Sequence, residues 1–455
     1  MTKVDTIVVG AGMAGIPMAL RAARNGPTVL IEPDQVGGTC LNRGCIPTKT
    51  MLHSAKVAHL ARRSADFGVH VGDVRVDLGE VVDRKDGVVR SVRDPSYRAI
   101  ERAEDLELVE GWARFLSPRE VAVNGSRWET ERVIINNGAR PSVPAIPGLD
   151  QVPRLDSTSA LDLRELPDHL IVIGGGYVGC EFAQMFRRFD AQVTLIQRAD
   201  RLLPAEDSEV SQVVHQAFER EGIAVRINSS PEKIERSEDG VVVWVGEDQM
   251  RGSHLLIATG RTPNSDSLDV AAAGIEVDDR GFIQVDGNYS TSQAGIYAIG
   301  DAIGPPMFTH SARDDAFLVY QHVYRGRDVS WEHRLVPHAV FTDPEVASFG
   351  LGESQARELH GDRVAVGTER FRGVAKARAI GETDGFVKIV AGPDREILGA
   401  TIVGPDAGNL IHELVVAAAG GLKVDTVRGA IHIHPTLAEA VNSAAGGVHH
   451  PTMAE

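Results

Sequence analysis

The stretch Thr6-Ile7-Val8-Val9-Gly10-Ala11-Gly12-Met13-Ala14-Gly15 decides how the start of this chain folds. An apolar run predicts a buried strand, and three glycines follow at the G-x-G-x-x-G spacing that opens a helix in a βαβ unit. Gly10 permits the turn, Gly12 lets the backbone approach a pyrophosphate, and Gly15 lets helix and strand pack closely. Glu32 ends the next strand, where a carboxylate accepts hydrogen bonds from a ribose. The unit therefore predicts a dinucleotide site.

A second βαβ unit repeats this plan after the apolar run at 170–173. Its glycines are Gly174, Gly176 and Gly179, so the chain is predicted to bind two nucleotides. The strand that would carry the acid ends instead in Gln197 and Arg198, which removes the usual preference for a free ribose 2′-hydroxyl. Arg198 or Arg201 is then available to pair with a 2′-phosphate, which favours NADPH over NADH. An exposed arginine beside a loop explains the same residues equally well.

Two cysteines, Cys40 and Cys45, lie close together in the glycine-rich stretch GGTCLNRGCIPTK at residues 37–49. Two thiols at this spacing can form and break a disulfide, and placement at a helix start would favour a thiolate. A zinc site would need further Cys or His ligands, which Cys180 alone does not provide, so no metal site is predicted. Cys180 is interpreted as a small residue packed under the second glycine turn.

The motif HIHPTLAE at residues 432–439 supplies a candidate base. Thiol-disulfide chemistry needs a group that deprotonates a thiol or protonates a leaving thiolate, and histidine titrates in the right range. His434 is the candidate, with Glu439 to fix the tautomer of its ring. Taken alone, a His before a Pro is an ordinary helix-start residue. His432 is expected to face away by strand alternation and serves as the structural control.

Length, charge and cysteine count narrow the class of protein. The 455 residues predict two to four domains. A net charge of -16 argues against nucleic acid or an anionic membrane as the main partner, because both need a cationic surface. The apolar runs fall short of a membrane span, and Met1 leads almost directly into the first strand without a signal-peptide pattern. Three cysteines are too few for a secreted disulfide framework, so the cytoplasm is the expected compartment.

Several segments between the motifs have readable patterns. Residues 133–141 and 255–263 each combine a buried strand with a Gly-x-x-Pro ending, and each is predicted to return the chain to the sheet of its own βαβ unit. A helix is predicted around residues 51–65. The charged segment 83–102 contains Pro95, so it is not expected to form a single unbroken helix.

The pattern changes from Arg334 onward. Strands are predicted at 339–341, 386–390 and 397–403, and helices around 407–419 and after Pro435. This alternation predicts an α+β domain distinct from the two nucleotide-binding units. The tail 446–455 is predicted to be frayed.

The order of motifs along almost the whole chain is similar to that of the flavoprotein disulfide reductases, which include dihydrolipoyl dehydrogenase, glutathione reductase, mycothione reductase and mercuric reductase. The motifs are GAGMAG with Glu32, GGTCLNRGCIPTK, NNGARP, GGGYVGCEFAQ, ATGRTPN, GIYAIGDA, FTDPEVASFGLGE and HPTLAEAVN. The resemblance implies an α/β fold with two Rossmann-like βαβ nucleotide-binding domains and an α+β C-terminal dimerisation domain. The expected boundaries are FAD-binding at 1–150 and 269–334, NAD(P)-binding at 151–268 and dimerisation at 335–455.

The same resemblance implies which residues hold the cofactors. FAD is expected to be held by Gly10, Gly12, Gly15, Glu32, Gly38, Thr39, Lys49, Gly138 and Asp301. NADPH or NADH is expected at Gly174, Gly176, Gly179, Gln197, Arg198 and Gly260. Lys49, near the flavin ring, is expected to pair with Glu181.

Catalytic roles follow from the resemblance as well. Cys45 is expected to be the thiol beside the flavin, and Cys40 the exposed interchange thiol. His434 and Glu439 are expected to complete the site from the other subunit. The resemblance therefore implies a homodimer with a shared active site and a small dithiol or disulfide as substrate.

The motifs do not all point to one branch of this family. LNRGCIPTK, RAIGETDGFVK and HPTLAEAV look like dihydrolipoyl dehydrogenase, whereas TKTMLHSAKVAHLARRSADFGV and FTHSARDDA look like mercuric reductase-like sequences. Mercuric reductases carry a C-terminal cysteine pair and usually a tyrosine at the position of His434. This chain has no cysteine after Cys180, so mercuric ion reduction is not expected. Asn136-Asn137 also replaces the usual Ala-Thr before Gly138.

Two functions are therefore expected. The first is an FAD-dependent NAD(P)H:disulfide oxidoreductase most like dihydrolipoyl dehydrogenase. The alternative is a mercuric reductase-like flavoenzyme that reduces metal ions or quinones with NAD(P)H.

Overall fold

The computed structural model describes residues 1–332 and 334–449. The chain divides into two compact units, one of residues 1–143, 156–165 and 260–334 and the other of residues 144–155, 166–259 and 335–455. Residues 450–455 of the tail predicted to be frayed lie outside the described residues. The four-segment division expected from the sequence stays a prediction.

The first unit is built on a parallel sheet. Its strands lie in the order Ile296–Ala298, Val133–Ile135, Thr6–Val9, Thr28–Glu32 and Leu106–Glu110. Ile7 and Val9 pack into one apolar cluster and Val8 into another on the opposite face. Because both faces are covered, these strands are near-continuous apolar runs, as parallel strands usually are. The first βαβ unit and the return strand at 133–135 are confirmed.

Smaller sheets and helices complete this unit. A four-stranded sheet has the order Thr2–Lys3, Ser126–Glu129, Glu120–Val123 and Arg114–Ser117. Ala139–Pro141 and Arg261–Pro263 pair in an antiparallel ribbon. The α-helices are Gly15–Ala22, Gly38–Arg43, Cys45–Arg62, Leu78–Glu101 and Thr309–Arg325.

The helix Leu78–Glu101 overturns one expectation, because it runs unbroken through Pro95. Proline removes one backbone hydrogen bond, which would have satisfied the carbonyl of Ser91. Both Pro95 and Ser91 lie on the exposed side, where water can hydrate that carbonyl, while the buried face keeps the helix packed. Asp77 caps the start by accepting a hydrogen bond from the Glu80 N–H at 3.0 Å.

The second unit contains the other nucleotide-type sheet. Its parallel strands have the order Ala224–Arg226, Gln192–Ile196, His169–Ile173 and His254–Ile257. An antiparallel sheet follows the order Lys233–Ser237, Gly240–Val245 and Asp248–Gly252. The second βαβ unit is confirmed.

The C-terminal part of this unit has an antiparallel sheet with helices against it. The strand order is His338–Val340, Glu345–Gly350, Ile397–Gly404, Phe386–Ala391 and Ala365–Arg370. The α-helices of the second unit are Tyr177–Arg188, Ser208–Arg220, Glu353–His360, Ala375–Ala379, Ala407–Ala419, Val424–Gly429 and Glu439–Gly446. Ile402, Leu414 and Val441 share its core, which confirms the predicted α+β domain. Among the helices of residues 1–332 and 334–449, none has the length and apolarity to cross a membrane.

Candidate active site

The first glycine turn has a geometry that only glycine satisfies. Gly10 has φ +99°, and a Cβ there would collide with the Asn136 carbonyl. A Cβ on Gly15 would collide with the Gly10 carbonyl, so the helix starts directly against the strand. Gly38 lies close to the backbone of Gly12: a Cβ on Gly38 would be 2.9 Å from the Gly12 Cα. The turn therefore leaves a side-chain-free cradle at a helix N-terminus, which suits a pyrophosphate.

The contacts of Asn136 give a structural reason for asparagine at a position where alanine is usual. It is buried, and its Nδ2 donates a hydrogen bond to the Gly10 carbonyl at 3.3 Å. The same nitrogen lies 2.9 Å from where a Gly15 Cβ would be. Asn136 thus braces the glycine turn from the neighbouring strand.

Glu32 lies at the predicted position beside this turn. Its Oε2 accepts a hydrogen bond from the Ala11 N–H at 2.7 Å, and Oε1 accepts one from the Asp34 N–H at 3.2 Å. Burial raises the pKa of Glu32, and these two backbone hydrogen bonds partly offset the rise. The carboxylate is therefore fixed at the end of its strand, where a ribose is expected.

Asp301 follows the edge strand Ile296–Ala298 of the same sheet. Burial raises the pKa of its carboxyl, and the charge of Arg261, with Nε 3.5 Å from Oδ2, opposes the rise. Gly138 and Gly260 have φ +68° and +121°, and a Cβ on either would meet open space. These positions suit a ligand that approaches the backbone. Thr39 is exposed in the helix Gly38–Arg43, which also carries Cys40.

The second glycine turn repeats the first almost contact for contact. Gly174 has φ +113°, and a Cβ there would collide with the Ala258 carbonyl, while one on Gly179 would collide with the Gly174 carbonyl. Around Gly176 a Cβ would meet open space. Gln197 Oε1 accepts a hydrogen bond from the Gly175 N–H at 3.1 Å. Gln197 therefore occupies the place that Glu32 holds in the first unit.

The two arginines after Gln197 differ in their surroundings. Arg198 is exposed. Arg201 lies 3.6 Å from Asp200 and donates to the Pro204 carbonyl at 3.4 Å. Arg198 is thus the arginine better placed to reach a ligand from this loop.

The redox pair lies where two helices meet. Cys40 is in the helix Gly38–Arg43, and Cys45 is the first residue of Cys45–Arg62, which begins earlier than the predicted helix 51–65. Both cysteines are free thiols, and Cys45 is exposed. The hydrogen bond to Cys45 raises the pKa of Cys40 well above its usual value, and burial and the charge of Cys45 add to the rise. Cys45 lies at a helix N-terminus, a position that favours a thiolate.

Lys49, Glu181 and Cys180 are three further residues with predicted positions. Lys49 is one turn along the helix that Cys45 begins, and its charge opposes the rise in the pKa of Cys40. Glu181 is buried, and its Oε1 accepts a hydrogen bond from the Phe341 N–H at 2.9 Å. Pairing of Lys49 with Glu181 stays a prediction. Cys180 is buried under the second turn, with Sγ 3.4 Å from the Gly175 carbonyl, as expected.

His434 and Glu439 form the expected pair. His434 Nδ1 donates a hydrogen bond to Glu439 Oε1 at 2.9 Å, and the Thr436 N–H donates to Glu439 Oε2 at 3.0 Å. The hydrogen bond from His434, followed by that from Thr436, lowers the pKa of Glu439. The tautomer thus keeps its proton on Nδ1 and leaves Nε2 available, on a side chain that is 71% exposed.

His432 differs from the expectation in two ways. It lies in a loop rather than on a strand. Its side chain is only 10% exposed, and its Nε2 lies 2.8 Å from Glu413 Oε1. Its contact with Glu413 anchors the His432 side chain, whereas that of His434 is exposed.

One buried carboxylate was missed by sequence reasoning. Glu206 Oε1 accepts hydrogen bonds from the Tyr177 hydroxyl and from His338 Nε2, both at 2.7 Å, and Oε2 accepts one from Ser348 at 3.0 Å. Burial would raise the pKa of Glu206, but these hydrogen bonds, led by that of His338, outweigh it and lower the pKa. The cluster ties the second glycine turn to the C-terminal sheet. No local motif marks it, because its members are distant in sequence.

Within the described ranges 1–332 and 334–449, no group of three or more His, Cys, Asp or Glu is arranged to hold a metal ion. Two nucleotide cradles, a dithiol and a histidine-carboxylate pair define a class: an oxidoreductase that carries electrons between nucleotide cofactors and sulfur.

Comparison with known proteins identifies the family. Residues 4–316 match the model for pyridine nucleotide-disulphide oxidoreductases, and residues 336–445 match its dimerisation domain. The chain is 39% identical to dihydrolipoyl dehydrogenase of Haloferax volcanii, over 98% of this chain and 96% of that one. It is 36% identical to mercuric reductase of Bacillus cereus, over 97% of this chain and 70% of that one. The chain belongs to the pyridine nucleotide-disulphide oxidoreductases.

A solved structure agrees with this assignment. The HOCl-induced flavoprotein disulfide reductase RclA from Escherichia coli matches with a TM-score of 0.89 and 32% identity, over 97% of this chain and 99% of that one. The protein is therefore a homodimeric flavoenzyme that uses FAD and NAD(P)H. The glycine cradle at Gly10 and the carboxylate of Asp301 fit FAD, which would supply two-electron transfer when bound.

Proposed function

We propose that the protein transfers electrons between NAD(P)H and a small dithiol or disulfide through Cys40 and Cys45, in an activity most like that of dihydrolipoyl dehydrogenase. The observation that carries this proposal is the asymmetry of the two thiols. Cys45 is exposed and begins a helix, whereas Cys40 is less exposed and its hydrogen bond to Cys45 raises its pKa. A two-step disulfide exchange needs one sulfur that readily forms a thiolate and a second that stays protonated until a base removes its proton.

Reduction of a disulfide substrate is proposed to follow these steps. His434 Nε2 takes the proton of Cys40, whose thiolate attacks a substrate sulfur, so that the substrate S–S bond breaks and a mixed disulfide forms. The departing substrate thiolate takes that proton back from His434. The Cys45 thiolate then attacks Cys40, which forms the Cys40–Cys45 disulfide and releases the second substrate sulfur as a thiolate that takes a proton from water.

The remaining assignments are parts of the same proposal. FAD is held by the first glycine turn with Glu32 and Asp301, and the nicotinamide nucleotide by the second turn with Gln197 and Arg198. His434 and Glu439 act on the cysteines of the partner subunit. The cytoplasm is the proposed compartment, because the cysteine content does not fit a secreted disulfide framework.

Cysteine variants test this proposal by absorbance. A thiolate beside oxidised flavin gives a long-wavelength band after two-electron reduction. Cys45→Ser should lose the band, because the donor is removed. Cys40→Ser should show the band before any reduction, because its Cys45 has no disulfide partner, and it should still stop disulfide turnover. Wild-type disulfide reductase activity in Cys40→Ser would show the dithiol mechanism to be wrong.

A second candidate is reduction of metal ions or quinones. It is favoured by one observation: an RclA structure that matches this chain with a TM-score of 0.90 and 31% identity is a Cu(II) complex. Steady-state assays with NADH and NADPH against lipoamide, glutathione disulfide, mycothione, quinones and Cu(II) salts would rank the two candidates.

A further inference from the structure

The side chain of Thr309 is placed against both sulfur atoms of the redox pair. Thr309 Oγ1 lies 3.6 Å from Cys45 Sγ, within hydrogen-bond range for sulfur. The pKa of Cys40 is raised chiefly by its hydrogen bond to Cys45, and a hydrogen bond from the Thr309 side chain opposes that rise. The hydroxyl therefore acts on the same two atoms that form and break the disulfide.

The helix that carries Thr309 is firmly anchored. Thr309 is the first residue of Thr309–Arg325. Asp315, one of its buried residues, accepts hydrogen bonds from the Gly300 N–H at 2.9 Å and from the Tyr289 hydroxyl at 2.8 Å, and it pairs with Arg334 at 2.7 Å. These contacts fix the helix and therefore the backbone position of Thr309. Its hydroxyl is thus held close to the Cys45 sulfur.

We propose that Thr309 is a positioning residue that sets the thiolate fraction of Cys45 and the reduction potential of the Cys40/Cys45 couple. This inference rests on the proposed function of the two cysteines. Reduction of the disulfide takes up two electrons and one proton, breaks the S–S bond, and leaves Cys45 as thiolate and Cys40 as thiol. A hydroxyl that donates to the thiolate stabilises the reduced form, so it raises the potential of the couple.

Alkylation of the holoenzyme measures the thiolate directly. In a Cys40→Ser background, the rate of Cys45 alkylation by iodoacetamide is followed against pH, with Cys180 buried out of reach. Thr309→Val removes the donor at similar volume, and we expect the pH midpoint to rise by about one unit, a tenfold loss of thiolate below the midpoint, as for one hydrogen bond to a charged group. Thr309→Ser keeps the hydroxyl and should follow the wild type.

Equilibration with dithiothreitol redox buffers measures the potential of the intact pair. Thr309→Val should make the Cys40/Cys45 potential more negative by about 30 mV for each tenfold change. Thr309→Ala repeats both measurements in case the valine disturbs folding, which circular dichroism and FAD content report. Unchanged midpoints and potentials in both variants would overturn the role of Thr309 and leave the proposed function intact. Failure of the wild-type cysteines to form a disulfide at any potential would instead contradict the proposed function, and this inference with it.

Discussion

At the scale of single residues, the raised pKa of Cys40 determines what else the site needs. A thiol with an ordinary pKa near 8.5 is already a poor nucleophile at neutral pH, and the hydrogen bond to Cys45 makes Cys40 harder to ionise. A base in contact with Cys40 would remove this barrier. His434 has the required form, because Glu439 holds the proton on Nδ1 and leaves Nε2 to accept another.

His434→Gln should therefore slow disulfide or dithiol turnover by roughly 100- to 10,000-fold, the range that a positioned acid-base group contributes. FAD content and reduction by NAD(P)H should remain nearly intact, because other residues serve those steps. Reduction of quinones or metal ions should also survive, so stopped-flow and steady-state rates on both substrate classes separate the two candidate functions. An unaltered rate with the best disulfide would remove His434 from the mechanism.

His432→Gln is the matched control, with one correction imposed by the structure. Because His432 Nε2 contacts Glu413 at 2.8 Å, the variant should lower thermal stability somewhat. Its turnover per folded active site should nevertheless stay close to the wild type, since the ring of His432 is engaged by Glu413 and has no role in the proposed steps.

Cofactor choice is a second property that one residue controls. Gln197 accepts a backbone hydrogen bond equivalent to that of Glu32, so Gln197→Glu should keep this bond while adding a charge that repels a 2′-phosphate; it gives up the hydrogen bond from Gln197 Nε2 to the Arg201 carbonyl. The wild type is expected to use NADPH at least as well as NADH. The variant should shift kcat/KM towards NADH by roughly 10- to 100-fold, if one charged contact is exchanged. A wild-type enzyme that strongly prefers NADH would refute the hypothesis that Gln197 and Arg198 favour NADPH.

At the scale of elements, the duplicated glycine turns make the two nucleotide sites separately testable. Gly15→Ala and Gly179→Ala place the same methyl group against the same kind of carbonyl in the two units. Overpacking of this kind costs about 1 to 3 kcal/mol. Gly15→Ala should therefore weaken FAD retention, whereas Gly179→Ala should keep FAD and weaken NAD(P)H binding by roughly 10- to 100-fold. Fluorescence of released flavin and titration with NAD(P)H measure the two effects, and FAD loss in Gly179→Ala would contradict the assignment of the sites.

The sequence predicted the elements whose signals are local. Glycine spacing located both turns, and the helix Ala407–Ala419 has the predicted bounds. The prediction of a broken helix at Pro95 was wrong, because the rule against proline in a helix assumes that the lost hydrogen bond is not replaced by water. The Glu206 cluster was invisible, because its partners Tyr177 and His338 come from different elements and only folding brings them together. Local pattern thus locates the cofactor cradles, while the buried polar contacts that support them depend on tertiary structure.

At the scale of the whole molecule, the exposed residues around His434 fit a site completed by a second subunit. Ile431 is 100% exposed and Ile433 78% exposed in the single chain, although large apolar side chains are usually covered. We propose that the second subunit of the homodimer covers these side chains. If His434 serves the cysteines of the partner subunit, two different inactive variants should restore each other.

Mixed dimers of Cys40→Ser and His434→Gln test this directly. Each variant alone lacks one essential group in both sites, but a mixed dimer contains one site with an intact Cys40 from one chain and an intact His434 from the other. Random pairing of equal amounts makes about half of the dimers mixed, so about a quarter of wild-type disulfide turnover should return after co-expression or exchange of subunits. Mixing Cys40→Ser with Cys45→Ser is the matched control and should restore nothing, because both lesions lie on the same side of every site. Recovery no greater than in that control would show that each subunit works with its own histidine, or that His434 is not required.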